Sequence, residues 1–376
     1  MTEKELREIK RRFRPERSNI PRIEGCFVNG SSKSIIAEIS QSLGIGDSVV
    51  NEKLLGVMKK ALSGSIGTNL TNVAYSTKQV TDSEAHKLLM SLYKSRLEDK
   101  EALGRFYRKV MESVGFDSNY VILLATDVYD VKSFGRDGLE GDSYESFTYV
   151  VCAICPVKSM PEALTFREAD SMFHALSTST LLGAPELGFM FPTFDDRRTN
   201  IYGSLYYTRS VSENYPEFAK TVLDTEVGLP PKAQRAAFGD CLSGVLEEEC
   251  SFDVVRSVHT QISEMIESHK ESRDPEPLTI SKATVKTILE GCGVAEDKLG
   301  ELDAPFDESF GVNAELSPKN IIPVNKFEVS TPEVQIKVDP EHRDLVTTQV
   351  IGGVKYVMIK VTGGVEVNGI SVKIEE

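Results

Sequence analysis

Long hydrophobic runs are absent from this sequence of 376 residues. The longest, residues 147–157, contains Thr148 and Pro156 and is about half of the ~20 residues that a membrane-spanning helix needs. No span is therefore expected. The opening stretch alternates Glu3, Lys4, Glu5, Arg7, Glu8 and Lys10, which leaves no apolar segment to act as a secretory signal. Cysteine is sparse, with six in the chain, so a disulfide framework is excluded. Histidine is sparse as well. His86, His174, His259, His269 and His342 stand apart, and none sits in a Gly-x-Ser-x-Gly elbow or a His-Glu-x-x-His helix. Positive charge is in deficit, 43 Lys and Arg against 57 Asp and Glu, for a net −14. That balance disfavours nucleic acid as a partner.

What is present is ordinary for a soluble globular chain: 40% hydrophobic and 27% charged residues, enough length for two or three domains. Cys152 and Cys155 have the spacing of a redox or zinc half-site, but they lie in an apolar run that reads as a strand. Residues three apart on a strand face opposite ways, and no second Cys or His pair completes a zinc tetrahedron. Packed free thiols in a reducing cytoplasm are expected, with no cofactor.

Thr2 and Glu5 form a capping box that opens a helix to about Phe13, ended by Pro15. Residues 34–43 and 53–62 have helical patterns, and 23–28 reads as a short strand. Thr81 and Glu84 make a second capping box before Ala85, Leu88, Leu89 and Leu92. Leu103, Phe106, Tyr107, Val110 and Met111 form the stripe of a further helix. From Tyr120 the pattern changes to continuous apolar runs, 120–125 and 147–154, read as adjacent antiparallel central strands joined by a Gly-rich loop at 135–143. Thr165 and Glu168 suggest a cap for a helix through Ala169, Met172, Phe173 and Leu176, and 200–208 reads as a third strand. Helices are expected after Pro231, from Asp253, over 281–290 and over 296–302, with a linker at 273–277. Residues 247–315 hold 17 acidic and six basic residues. The last stretch, rich in Val and Ile, reads as a β-meander with a two-residue turn at Gly352 and Gly353 and another turn at Asn368 and Gly369. Both of its faces are apolar, so it needs cover.

The expected fold is α+β: a central, mostly antiparallel sheet flanked by helices, an acidic helical segment and a C-terminal β-meander. The expected regions are 1–118 (helical), 119–225 (sheet with helices), 226–316 (acidic helices) and 317–376 (meander).

Several strings occur together: Phe13-Arg14-Pro15-Glu16, Arg22-Ile23-Glu24-Gly25-Cys26, Leu62-Ser63-Gly64-Ser65-Ile66-Gly67, Cys155-Pro156-Val157, Phe191-Pro192-Thr193-Phe194-Asp195-Asp196-Arg197-Arg198, Tyr206-Tyr207 and Val365-Glu366-Val367-Asn368-Gly369. With these the chain resembles a bacterial family, domain of unknown function 4317, from the first helix to the meander. The resemblance implies a bacterial cytoplasmic protein and one co-inherited unit. It brings no activity, ligand or catalytic residue with it.

The richest candidate site is Asp195, Asp196, Arg197 and Arg198, with Asn200 behind. Carboxylates suit a hard cation such as Mg²⁺, and Arg forks suit phosphate. The simpler account is a polar turn whose charges pair with one another. Asp127 and Asp130, read as following the first central strand, are candidate metal ligands. With Asp195 or Asp196 they would form a metal-assisted hydrolytic centre if the strand ends converged. Ser63 to Gly67 lacks the Lys of a phosphate loop and follows a helix, so it reads as a helix-ending turn. The first 22 residues hold eight basic and four acidic residues. Arg7, Lys10, Arg11, Arg12 and Arg14 are expected to make electrostatic contact with the acidic 247–315 stretch, in the same chain or a neighbouring copy. The leading expectation is a non-catalytic cytoplasmic binding or scaffold protein, with an unknown protein partner or self-association and no membrane. The alternatives are a metal-dependent enzyme acting on a phosphate-containing substrate and, third, nucleic-acid binding through the basic arm.

Overall fold

The computed structural model describes residues 1–376 except 45–46, 132–144, 161–162, 177–178, 196, 273–277, 324–325, 362, 368–369 and 373–376. Two compact units divide the chain, Met1–Pro230 and Pro231–Asp274 with Leu278–Glu376. Both helices and antiparallel strands are abundant, and the class is α+β.

In the first unit the elements are α1 (Glu3–Lys10), β1 (Arg22–Asn29), β2 (Ser34–Ser42), α2 (Ser48–Lys60), β3 (Leu70–Ala74), α3 (Thr77–Asp82), α4 (Glu84–Lys94) and α5 (Lys100–Ser113). They continue with β4 (Tyr120–Val131), β5 (Glu145–Met160), β6 (Ala163–Arg167), β7 (Met172–Leu176), β8 (Ser179–Leu182), β9 (Leu187–Phe191), β10 (Thr193–Asp195), β11 (Arg198–Asn200), β12 (Gly203–Thr208) and α6 (Pro216–Leu223). The main sheet runs β2-β1-β4-β5-β9-β12-β3, with β8 beside the end of β5. Its pairings are antiparallel, and β4 and β5 at its centre pair from Tyr120 opposite Pro156 to Val131 opposite Glu145.

Because side chains alternate along a strand, a sheet covered on both sides needs apolar residues at every position. Tyr120, Ile122 and Leu124 join one core with α4, α5 and α6, where Phe106, Phe189 and Phe218 are fully buried. Val121, Leu123 and Ala125 join a second core with α1 and α2. Cys152 belongs to the first core and Cys155 to the second, so the two thiols diverge. Burial pushes the Cys155 thiol up to about 12 and Cys152 well above its ordinary value. Both are packing residues.

Several local expectations are corrected. The segment read as a helix over 34–43 is strand β2, Ser34–Ser42, because the free edge of β1 accepts a pairing partner from Arg22 opposite Ser42 to Asn29 opposite Ser34. The segment read as a helix from Thr165 is the β6–β7 hairpin. Glu168 to Ser171 make its turn, with Ser171 at φ +53°, and His174 consequently lies on a strand. Helix α4 is capped by Ser83, while the reciprocal capping box belongs to Ser76 and Gln79 at the start of α3. Strand β4 does not end before Asp127 and Asp130; it runs on through both, opposite Tyr149 and Ser146. The loop read at 135–143 lies outside the described residues.

In the second unit α7 (Pro231–Leu246), α8 (Phe252–Ser272), α9 (Lys282–Gly291), α10 (Glu296–Glu301), α11 (Asp303–Phe310) and α12 (Pro318–Ile321) enclose their own core, with Ile262, Leu289 and Phe306 fully buried. The expected linker at 273–277 is outside the described residues. The acidic charge is partly answered locally: Lys282 and Lys286 bind Asp303, and Lys298 binds Glu247 and Glu301. The C-terminal strands, β13 (Phe327–Ser330), β14 (Gln335–Val338), β15 (Val346–Ile351), β16 (Val354–Ile359), β17 (Val365–Val367) and β18 (Ile370–Val372), differ from the expected continuous meander. Among the described residues they pair only as three separate hairpins, because a 3₁₀ turn over Pro340–Leu345 and the glycines Gly363 and Gly364 interrupt the succession. Gly352 and Gly353 sit at φ +57° and +83° between Ile351 and Val354, the left-handed pair that a two-residue hairpin turn requires. The turn read at Asn368 and Gly369 lies outside the described residues.

Buried His259 ties α8 to this C-terminal segment. Its Nε2 faces the Pro323 carbonyl oxygen at 3.0 Å, and Arg343 Nη1 donates to its Nδ1 at 3.2 Å. A guanidinium only donates and a carbonyl only accepts, so the ring is neutral with its proton on Nε2. Burial, and then the charge of Arg343, outweigh the Pro323 carbonyl and lower the pKa below 6.5. The folded state therefore resists protonation, and as pH falls below 6.5 the unfolded chain takes up the proton first. Urea denaturation followed by circular dichroism should show stability falling between about pH 7.5 and pH 5, and less steeply in His259→Gln. Identical pH slopes for the two chains would refute this role. Phe189→Ala, at the meeting of Phe106 and Phe218, should cost about 3–5 kcal/mol in the same assay.

Candidate functional site

The amphipathic pattern of the first helix determines where it docks. Leu6 and Ile9 of α1, and Phe13 beyond it, are buried in the second core. The predicted capping box is present, with Glu5 N–H donating to Thr2 Oγ1 at 3.3 Å and Thr2 N–H donating to Glu5 Oε2 at 2.8 Å. Docking this face brings the polar residues of the helix onto the candidate site.

Asp127, on β4, is 1% exposed. Arg12 Nε donates to its Oδ2 at 3.0 Å and Arg12 Nη2 to its Oδ1 at 3.3 Å. Asn19 N–H reaches Oδ1 at 3.0 Å, and the Tyr149 hydroxyl donates to Oδ2 at 2.9 Å. Both oxygens are thus occupied, as a buried carboxylate demands. Burial opposes the charge of Arg12, yet the hydrogen bond and charge of Asp127 outweigh it and raise the guanidinium pKa. Burial, reinforced by the negative charge of Asp127, pushes the Tyr149 phenol well above its ordinary value, so it stays a donor.

Beside this anchor, Glu8 accepts from the Tyr129 hydroxyl at 2.5 Å and from Arg197 Nη2 at 3.1 Å. Burial first, then the bond to Glu8, pushes Tyr129 up to about 12. The Arg12 guanidinium lies 5.1 Å from the Tyr129 ring centroid, a cation–π contact. Glu5 accepts from the backbone N–H of Arg197, and Glu3 from that of Ile66 at 2.9 Å. Ile66 lies in the glycine-containing turn after α2. A side chain at Gly64, φ +86°, would meet Asn69 at 2.4 Å.

Asp195 and Asn200 come together at the β10–β11 hairpin. Asn200 Nδ2 donates to Asp195 Oδ2 at 2.6 Å and Thr193 Oγ1 donates to the same oxygen at 2.8 Å, while the Met1 amine pairs with Oδ1. Burial would raise the Asp195 pKa, but these bonds outweigh it and hold it below the usual value. Arg197 turns toward α1 with φ +59°, and Arg198 is exposed opposite Asp195. Asp196 lies outside the described residues. Asp130 is exposed opposite Ser146 and joins neither carboxylate. Among the described residues no three His, Cys, Asp or Glu side chains gather as a metal site. A cation at Asp127 would have to displace Arg12.

Of the basic residues named from the sequence, Arg12 is committed to Asp127 and Arg7 donates from Nε to the Glu3 carbonyl at 3.1 Å. Lys10 is half-buried, and burial lowers its pKa; Arg11 and Arg14 are exposed. Glu8, Asn19, Tyr129 and Tyr149 were not among the sequence candidates. The signal available was Tyr149 itself: a phenol inside a continuous apolar strand needs a partner for its hydroxyl.

The model of one family, described as Domain of unknown function (DUF4317), matches residues 1–370. The chain belongs to this family. The match takes in residues of both units, from α1 through β17 to the first residue of β18. No curated protein matches the chain. Among the described residues no helix is long and apolar enough to cross a membrane.

If Asp127 is an anchor for α1, removing its counter-charge must expose the cost of burying it. Arg12→Met alone should destabilise the chain by about 3–5 kcal/mol in urea denaturation. Adding Asp127→Asn should recover part of that loss, and strictly additive effects of the two substitutions would refute the coupling.

Proposed function

We propose that this chain is a non-catalytic binding or scaffold protein of the cytoplasm that presents apolar β-hairpins to another protein chain, a second copy included. The observation carrying the proposal is the bare face of the β6–β7 hairpin. Leu164 and Phe166 lie opposite Ala175 and Phe173 and share one side of it. Leu164 is 73% exposed, Phe166 52% and Phe173 69%, and the two rings pack edge to face at 5.3 Å. Uncovered clusters of this kind are characteristic of interaction surfaces, and aromatic residues are the usual anchors of protein interfaces. The β15–β16 hairpin adds exposed Val350, Val354, Tyr356 and Ile359, with Lys355 the one charge within its paired strands. So little charge offers an approaching strand little repulsion.

The carboxylates that favoured an enzyme speak for binding instead, since Asp127 and Asp195 are held by side chains and backbone of the same unit. A reducing cytoplasm is supported by the six free thiols.

The test compares the wild type with Phe166→Ser/Phe173→Ser, both shown by circular dichroism to be folded. Each is used to capture partners from native lysate, with untagged copies of the chain added. At least one co-purifying protein, an untagged copy included, should fall by about tenfold with the double variant. Recovery of the same chains in the same amounts would overturn the proposal.

A further inference from the structure

A second surface of the first unit has the composition of a ligand site. Helix α4 presents Lys87, Ser91, Lys94 and Ser95 at i, i+4, i+7 and i+8, a single stripe that places two ammonium groups among two hydroxyls. The stripe borders a cleft of about 630 Å³ that reaches Val80 of α3, Ile201 in the β11–β12 turn and Asp99, whose carboxylate is engaged by the backbone N–H groups of Glu101 and Ala102 at 3.0 Å. That volume lies within the range of small-molecule sites, in which apolar walls carry a few placed polar groups.

His86 also lines this cleft and is 1% exposed. Its ring is wedged edge-on between Tyr75 and Phe191, with centroids 5.0 and 5.4 Å away. His86 Nε2 lies 2.9 Å from the Ile201 carbonyl oxygen, which only accepts, so Nε2 carries the proton. In the tautomer with its proton on Nε2, Nδ1 is an acceptor, and this atom is buried without a hydrogen-bond partner. Buried polar atoms are nearly always satisfied, so an unpaired acceptor bordering a cleft calls for a donor from outside the chain. Lys94 has no ion-pair partner among the described residues, whereas Lys87 is held by Glu84 at 2.9 Å.

We infer that this cleft binds a phosphate monoester bearing hydroxyl groups, of the size of a sugar phosphate. The phosphate, with about two negative charges near neutral pH, sits against Lys94 and the Ser91 and Ser95 hydroxyls. A ligand hydroxyl donates to His86 Nδ1. Val80, Met90 and Ile201 supply the apolar wall. The inference goes beyond the hairpin-binding proposal and shares none of its residues, so either can fail alone.

Isothermal titration of the full chain with glucose 6-phosphate at low salt tests it, with inorganic phosphate and glucose as controls. Saturable binding is expected, weakened about tenfold or more in Lys94→Gln, whose exposed position leaves the fold intact. Nitrogen NMR should also show the His86 Nδ1 resonance shifting as it accepts a hydrogen bond. Three results would overturn the inference: no saturable binding by the wild type, equal affinity in Lys94→Gln, or inorganic phosphate binding as tightly as the sugar phosphate.

Discussion

A carboxylate with almost no access to water sits on the central sheet, and much of the first unit is arranged around neutralising it. Asp127 is one of few buried charged groups in the described structure. An unpaired charge there would be untenable. The guanidinium of Arg12 and the backbone of Asn19, from the stretch after α1, and the hydroxyl of Tyr149, from β5, all meet it. The segment that supplies Arg12 also carries Leu6, Ile9 and Phe13, which close the second core. The polar and apolar demands are met by the same few turns of chain, so the helix has one way to lie. Glu3, Glu5 and Glu8 then find their donors on the turn after α2, on Arg197 and on Tyr129.

This arrangement changes the meaning of the acidic residues. Two carboxylates near an aromatic-proline turn suggest a cation site when they are seen only as letters. In space both oxygens of Asp127 are taken by Arg12, Asn19 and Tyr149, and Asp195 Oδ2 accepts from Asn200 and Thr193. Exposed apolar side chains gather instead on the β6–β7 hairpin and on the C-terminal hairpins. Two-stranded ribbons bury little on their own, and their uncovered side chains contrast with the central strands of the main sheet, which are covered on both faces.

The legible parts of the fold were those with a strong period. The Leu103 to Met111 stripe, the capping box at Thr2, the continuous runs of β4 and β5 and the Gly352–Gly353 turn each have a local cause that operates in the sequence itself. The misread segments, 34–43 and 165–176, have patterns that both helix and strand can use. Ser34 to Ser42 is a strand because β1 has an edge to fill, and Thr165 imitates a cap in a segment whose two halves pair across a turn. Of the candidate site, Asp195 and Asn200, near in sequence, are joined by a hydrogen bond in the structure. The partners of Asp127 were not legible, because Asn19 and Arg12 lie more than a hundred residues from it.

By itself, then, the sequence determined the class of fold, the two-faced burial of the central strands and the divergence of Cys152 from Cys155, all of which follow from alternation and periodicity over short stretches. Tertiary structure alone decided which charges neutralise one another and which apolar faces stay bare. Those outcomes depend on distances between segments far apart in the chain, and the free energy of a buried charge or an exposed ring is set by its neighbours in space.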